Sequence, residues 1–196
     1  MKKSLVIAVL LASVTVLADK IRLPKPQLKG GITLREALSK RETLRNFKAD
    51  MPTTQQLSNL LWSANGVNRE NGKRTAPSAM DKREIMIFVI LPDGGYRYIP
   101  ENHTLIQVCD GDLRPYCGRY EAPCYLVLVP DSNRQPREKF AAVDTGYVSQ
   151  NIYLSAVDNG LGTCAMGSIT DPAKLVERLK LGQNQPILVH PVGIPQ

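Results

Sequence analysis

The sequence predicts an α+β domain in which a mainly antiparallel sheet is packed against helices. Three observations lead there. Apolar residues recur at helical intervals in some segments and form short β-branched runs in others. The resulting order is helix, helix, hairpin, strand, long helix, short helix, strand, which leaves most strands without a regular βαβ crossover. With 196 residues, 43% hydrophobic and 22% charged, the chain can bury a sizeable core and is too apolar for a disordered polymer.

The elements follow in chain order. Lys2 and Lys3 precede an uncharged, mostly apolar stretch from Ser4 to Leu17, and Val16-Leu17-Ala18 suits a cut before Asp19. Residues 1–18 therefore read as a signal peptide, too short for a comfortable membrane span of about 20 residues. The expectation is an exported protein, periplasmic or secreted, without a stable membrane anchor. Residues 19–32, with Pro24, Pro26, Gly30 and Gly31, read as an extended N-terminal arm, and 33–196 as the folded domain. Thr33-Leu34-Arg35-Glu36 has capping-box spacing and starts a helix to about Lys40. Thr53 and Gln56 repeat that spacing, with Leu57, Leu60, Leu61 and Ala64 on one stripe and Asn65-Gly66 as the stop. Arg69 to Ser78 reads as a loop.

Ile85 to Leu91 reads as a buried strand, Asp93-Gly94-Gly95 as a turn, and Tyr96 to Ile99 as the hairpin partner. Residues 100–121 read as irregular or short helix, and Cys124 to Val129 as another strand. Lys139 to Asn159 is the longest helix, with Gly160 ending it; its small, apolar centre predicts burial on several sides. Asp171-Pro172 caps a helix to about Leu181, and Pro186 to Val192 is the last strand.

Several chemistries are excluded. No glycine-rich dinucleotide turn, phosphate-binding Gly-Lys-Ser/Thr loop, Gly-x-Ser-x-Gly elbow or HExxH motif is present. The net charge of +7 is spread along the chain, without a basic run interleaved with aromatics, which argues against nucleic acid. The charge suits a phosphate-bearing small ligand. Cys109, Cys117, Cys124 and Cys164 match no zinc spacing; free thiols and disulfides, with three complete pairings, are both open. His103 and His190 stand alone in sequence, which more often marks a structural than a catalytic histidine.

Four weaker features remain. Arg41, Thr43 and Arg45 alternate, so an extended segment directs them to one side, where they suit a phosphate or a polar ring edge. Arg74-Thr75-Ala76-Pro77-Ser78-Ala79 offers small residues that let the backbone approach a flat ligand, though a plain loop explains it as well. Asp144-Thr145-Gly146 and Gln150-Asn151 put polar groups inside a buried helix, which is costly unless they are paired or functional. Gly160-Leu161-Gly162 through Cys164-Ala165-Met166-Gly167 can present backbone N–H groups; a helix stop accounts only for Gly160.

In this order and spacing the four features resemble the nitroreductase-like family of flavin enzymes, over about residues 33–194. The matching residues are Arg41, Thr43 and Arg45 with Phe47; Leu57 to Arg69; Arg74 to Ala79; Asp144 to Asn151; and Gly160-Leu161-Gly162. A compact, exported subgroup related to the thiazoline-forming dehydrogenases is the most similar. The resemblance implies a nitroreductase-like fold and FMN bound at the interface of a homodimer. Arg41, Thr43 and Arg45 would hold the phosphate, ribityl or pyrimidine end. Pro77, Ser78 and Ala79 would come from the other subunit. The backbone of Ala165, Met166 and Gly167 would lie against the isoalloxazine, with an N–H near N5, and Gln150 is a further contact. The chemistry would then be the flavin's, by a ping-pong cycle, with no catalytic side chain required. The donor would be NAD(P)H or a redox partner, and the acceptor a nitroaromatic or quinone. The alternative is a non-enzymatic dimeric protein that binds flavin or another planar ligand. Two departures stand out. Asp81 occupies a position where many relatives have Asn, and the sequence stops at Pro195-Gln196, where larger relatives continue into a basic segment.

Overall fold

The computed structural model describes residues 20–196. The signal-peptide reading, with its cut before Asp19, lies outside the described residues.

Seven strands form one sheet: β1 (Lys20–Arg22), β2 (Ile85–Leu91), β3 (Gly94–Ile99), β4 (Thr104–Asp110), β5 (Cys124–Pro130), β6 (Gly162–Thr163) and β7 (Leu188–Gly193). Their spatial order is β1-β4-β3-β2-β5-β7-β6, and every neighbouring pair is antiparallel. The helices are α1 (Leu34–Lys40), α2 (Thr54–Asn65), α3 (Arg114–Cys117), α4 (Glu138–Asp158) and α5 (Pro172–Arg178), with a 3-10 turn at Ala79–Asp81.

The central strand β2 shows why its sequence is apolar without alternation. Ile85, Ile87 and Val89 face a core shared with Leu57, Leu60 and Leu61 of α2 and Val148 and Ile152 of α4. Phe88 and Ile90 face the opposite core, with Leu113 and Cys117 at α3 and Leu175 and Leu179 at α5. Both faces of the sheet are covered, so the fold is the predicted α+β arrangement with helices on the two sides.

The helix starts follow the predicted caps. The Thr53 hydroxyl accepts from the Gln56 N–H while the Gln56 side chain accepts from the Thr53 N–H, the full reciprocal box. At α1 only half of it forms: Thr33 accepts from the Glu36 N–H, but Glu36 turns to Lys40 at 2.9 Å. Asp171 accepts from the Lys174 N–H at α5.

Four expectations are corrected. Residues 100–121 contain β4, whose Thr104, Ile106 and Val108 alternate; one side of this strand is half-exposed, so its hydrophobic signal is diluted. The hairpin turn is Pro92-Asp93, and Gly94 and Gly95 already belong to β3, opposite Leu91 and Ile90. Helix α5 stops at Arg178 because Lys180 takes a left-handed conformation (φ 55°) and the Leu181 N–H turns back to Val176 O at 3.0 Å. Finally, α4 is buried along one stripe only: Ala141, Asp144, Thr145, Val148, Ser149, Ile152, Ser155 and Ala156. Its outer stripe of Val143, Gly146, Tyr147 and Gln150 is exposed.

All four cysteines are free thiols; Cys117, Cys124 and Cys164 are buried and Cys109 is half-buried. Burial pushes the Cys124 thiol up to about 12.

Candidate functional site

After α1 the chain runs extended from Arg41 across the ends of β6 and β7. Two backbone bonds hold it there, Leu44 N–H to Thr163 O at 3.0 Å and Lys48 N–H to Ile194 O at 2.8 Å. The segment lies so close to the sheet that a Cβ on Gly162 would come within 2.9 Å of Leu44 Cδ1, and one on Gly193 within 2.9 Å of Phe47 Cβ. The glycines are thus the seat of the arginine segment.

Arg41 and Thr43 meet the same side chain, whereas Arg45 meets another. Arg41 lies over the Tyr153 ring, 5.3 Å from its centroid, and the Thr43 hydroxyl is 3.2 Å from the Tyr153 hydroxyl. The Tyr153 hydroxyl also accepts from the Ala165 N–H at 2.8 Å. Arg45 lies over Tyr120, 5.8 Å from its centroid, and Arg119 covers the same ring at 4.9 Å. Neither Arg41 nor Arg45 forms an ion pair among the described residues. The glycine-rich segment closes the group, because Gly118, just before Arg119, leaves room for the end of the Met166 side chain.

The Ala165–Gly167 backbone differs from the expectation in one respect. The Ala165 N–H is taken by Tyr153, and the Met166 N–H and carbonyl both bond Val189, each at 2.9 Å. Gly167 is exposed and its N–H is not engaged among the described residues. Of the three N–H groups it is the one left available.

His190 supports this cluster from beneath. It is fully buried between Ser149 (2.9 Å) and Thr163 (3.1 Å) and meets the Tyr153 ring edge-on at 5.6 Å. Burial pushes its pKa down to about 3, so the imidazole is neutral and serves packing and orientation. His103 is likewise tied between Ser58 (2.7 Å) and Tyr98 (2.8 Å).

Pro77, Ser78 and Ala79 lie elsewhere. Ser78 Oγ accepts from the Arg83 N–H at 2.9 Å, and the Ala79 N–H donates to Asp144 Oδ2 at 2.7 Å. Asp144 and Tyr153 are nine residues apart on α4, which is about 13.5 Å along the axis and half a turn around it. One chain thus holds the two halves of the expected site on opposite sides of one helix and does not bring them together. Gln150 stands on the exposed stripe of α4, and Asn151 instead bonds Ala64 O at 3.4 Å. Asp81 is drawn back by Arg83 through two contacts of 2.8 and 2.6 Å. Met80, Asp81 and Arg83 all have positive φ (54°, 54° and 51°), so this turn is fixed in an uncommon conformation.

Sequence profiles of known families place the chain. The Nitroreductase family profile matches residues 38–194. The chain belongs to the nitroreductase family. A candidate nitroreductase from Methanocaldococcus jannaschii is 29% identical over 197 residues, covering 90% of this chain and 98% of that protein. The crystal structure of a candidate nitroreductase from Ralstonia eutropha JMP134 superposes with a TM-score of 0.86 at 35% identity, over 93% of this chain and 92% of that one. A more distant structure, a Desulfovibrio desulfuricans protein in complex with FMN, shares the fold (TM-score 0.62, 17% identity, 85% and 88% covered). The fold is nitroreductase-like and the protein is an oxidoreductase of nitroreductase type.

Within the family frame, four residues that sequence reasoning passed over become visible. Tyr153 ties Thr43 to Ala165, and its signal was a tyrosine one helical turn after Gln150, beside the glycine-rich segment. Tyr120 and Arg119 lay in a stretch read as irregular. Glu84 sits at the entry to β2 and carries no motif.

Proposed function

We propose that this nitroreductase is a homodimeric FMN oxidoreductase acting on small, flat, electron-poor molecules such as nitroaromatics or quinones, with NAD(P)H or a redox protein as donor. The observation that carries the reading is the pair of arginines without carboxylate partners, Arg41 and Arg45, flanking Thr43, Tyr153 and the available Gly167 N–H. Unpaired guanidinium groups suit a phosphate, with which they form charge-assisted bonds. Arg119 adds a third guanidinium beside Tyr120.

FMN supplies the hydride or electron transfer when bound. The chain's own part is to hold, orient and tune it. Arg41, Thr43 and Arg45 hold the phosphate, ribityl or pyrimidine end. The Gly167 N–H is the candidate donor at the ring. Pro77, Ser78 and Ala79 come from the second subunit, a reading that their place on the far side of α4 supports.

The surface supports a dimer. Val143 and Tyr147 on α4 and Leu34 and Leu38 on α1, which packs on α4, are exposed apolar residues. An exposed apolar band of this kind marks an interaction surface. Gly146, with nothing within 4 Å of its Cβ position, lets a second backbone come close there.

Full-length mature protein, mixed with FMN and desalted, is expected to keep about one flavin per subunit and to sediment as a dimer. A colourless protein would remove the cofactor from the reading, and a flavin-loaded monomer would remove the shared site. Export is proposed from Lys2, Lys3 and the apolar stretch that follows. N-terminal sequencing of secreted or periplasmic material should begin at Asp19, and intact Met1 would refute cleavage.

A further inference from the structure

A second cluster of arginines lies at the open end of the β2–β3 hairpin, away from Arg41 and Arg45. It lines a cavity of about 430 Å³ between the loop before β2, the end of β3 and the turn after β5. Four arginines, Arg74, Arg83, Arg97 and Arg134, face two carboxylates, Glu101 and Asp131. A volume of several hundred Å³ is the range of small-molecule sites.

The arginines differ in how far they are already used. Arg83 is fully engaged: its guanidinium grips Asp81 and donates to Gly72 O at 3.0 Å. Arg134 donates one bond to Arg83 O at 2.9 Å and is otherwise exposed. Arg97 is exposed and makes no side-chain hydrogen bond or ion pair among the described residues. Arg74 is the informative one. It is only 7% exposed, donates to Asn65 O at 3.3 Å and to Glu101 at 2.6 Å, and leaves its Nε buried with no partner.

A buried, unpartnered donor on a charged group is costly, and proteins seldom leave one so. Burial also lowers the Arg74 pKa; Glu101 opposes this, while Arg134 and Arg83 add repulsion. With Arg83 held by Asp81, three guanidinium groups face Glu101 and Asp131, which leaves a positive excess. A bound anion would relieve the repulsion and engage the idle groups of Arg97 and Arg134 together. Planar guanidinium groups match the oxygens of a phosphate better than those of a spherical ion.

We propose that this cavity is a second ligand site, which binds a phosphate group, free or carried by a small organic molecule, through Arg74, Arg97 and Arg134. The site lies apart from Arg41 and Arg45, while Arg83 on its wall bonds Ser78 of the other half of the proposed flavin site.

The test is calorimetric titration of the full chain with inorganic phosphate and, in a second arm, with glycerol 3-phosphate. Excess FMN is present and ionic strength is held constant with chloride. Saturable binding is expected in at least one arm; the tighter arm tells whether the phosphate is free or organic. Arg97→Ala and Arg134→Ala replace exposed side chains and leave the fold intact. Each should weaken binding by about tenfold or more. Glu101→Gln removes the competing negative charge beside Arg74 and should tighten it. Arg22→Ala, which removes the same charge from β1, should change little. Equal weakening by Arg22→Ala would mean general electrostatics. Loss in Arg41→Ala with retention in Arg97→Ala and Arg134→Ala would place the phosphate at the other arginines. Either of these results, or no saturable binding in either arm, overturns the proposal.

Discussion

Replacing Arg41 with alanine is expected to weaken FMN retention by roughly tenfold to a hundredfold. The figure follows from a charge-assisted hydrogen bond worth about 1.5–3 kcal/mol. The Arg41→Ala, Arg45→Ala double variant should lose flavin on desalting altogether. Neither arginine is buried in the core and neither forms an ion pair among the described residues, so the substitutions should leave the fold unchanged. Fluorescence titration with FMN measures the effect, and circular dichroism checks the fold. Arg35→Ala, on the exposed side of α1, removes the same charge near the same helix and serves as control. Unchanged affinity in the double variant would take this segment out of the cofactor site.

The second large effect concerns Glu84 and the pH dependence of stability. Glu84 is fully buried, and neither of its carboxyl oxygens has a hydrogen-bond partner. Burial raises its pKa from 4.5 to about 7; the nearby Asp144 carboxylate adds to this and Arg134 opposes it. The folded chain therefore keeps a proton that the unfolded chain releases. The corresponding stability is fully present below pH 4.5 and is lost as pH rises through about 7. Glu84→Gln mimics the protonated form at every pH. It should stabilise the protein by roughly 1–3 kcal/mol at pH 8, since each pKa unit is worth about 1.4 kcal/mol. The gain should vanish near pH 4.5. Urea midpoints at the two pH values measure it, and an equal effect at both would refute the linkage. His190 works in the opposite direction. With its pKa pushed from 6.5 to about 3, the stability it contributes is present above pH 6.5 and is lost as pH falls toward 3.

What the sequence disclosed depended on how local the signal was. The caps at Thr33, Thr53 and Asp171 were legible because a cap is a contact three residues long. The run Ile85–Leu91 was legible because burial on both faces makes a strand apolar throughout. Strand β4 was not, since its partly exposed surface mixes Gln107 and Cys109 into the pattern. Two-residue β6 leaves no periodicity to find. For the site, alternation singled out Arg41, Thr43 and Arg45 as a group. It could not show what they meet, because Tyr153 and Tyr120 arrive from distant parts of the chain. Helix α4 misled in one way: small and apolar residues all round suggest burial on several sides, yet the chain itself covers only half of the helix.

The seat of the arginine segment has a consequence for the order of assembly. Residues 46–48 are held by the other end of the sequence. Phe47 is bridged to Pro195, the Lys48 N–H bonds Ile194 O, and both the backbone and the side chain of Gln196 reach back to Asn46 and Phe47. These contacts close loops of nearly 150 residues, as the Gln196–Phe47 separation of 149 shows. Such contacts carry the largest loop-closure entropy and form late. During synthesis Arg41 and Arg45 leave the ribosome early, while residues 46–48 beside them are not clamped until residues 194–196 follow. The flank of the arginine segment is thus among the last parts of the domain to be fixed.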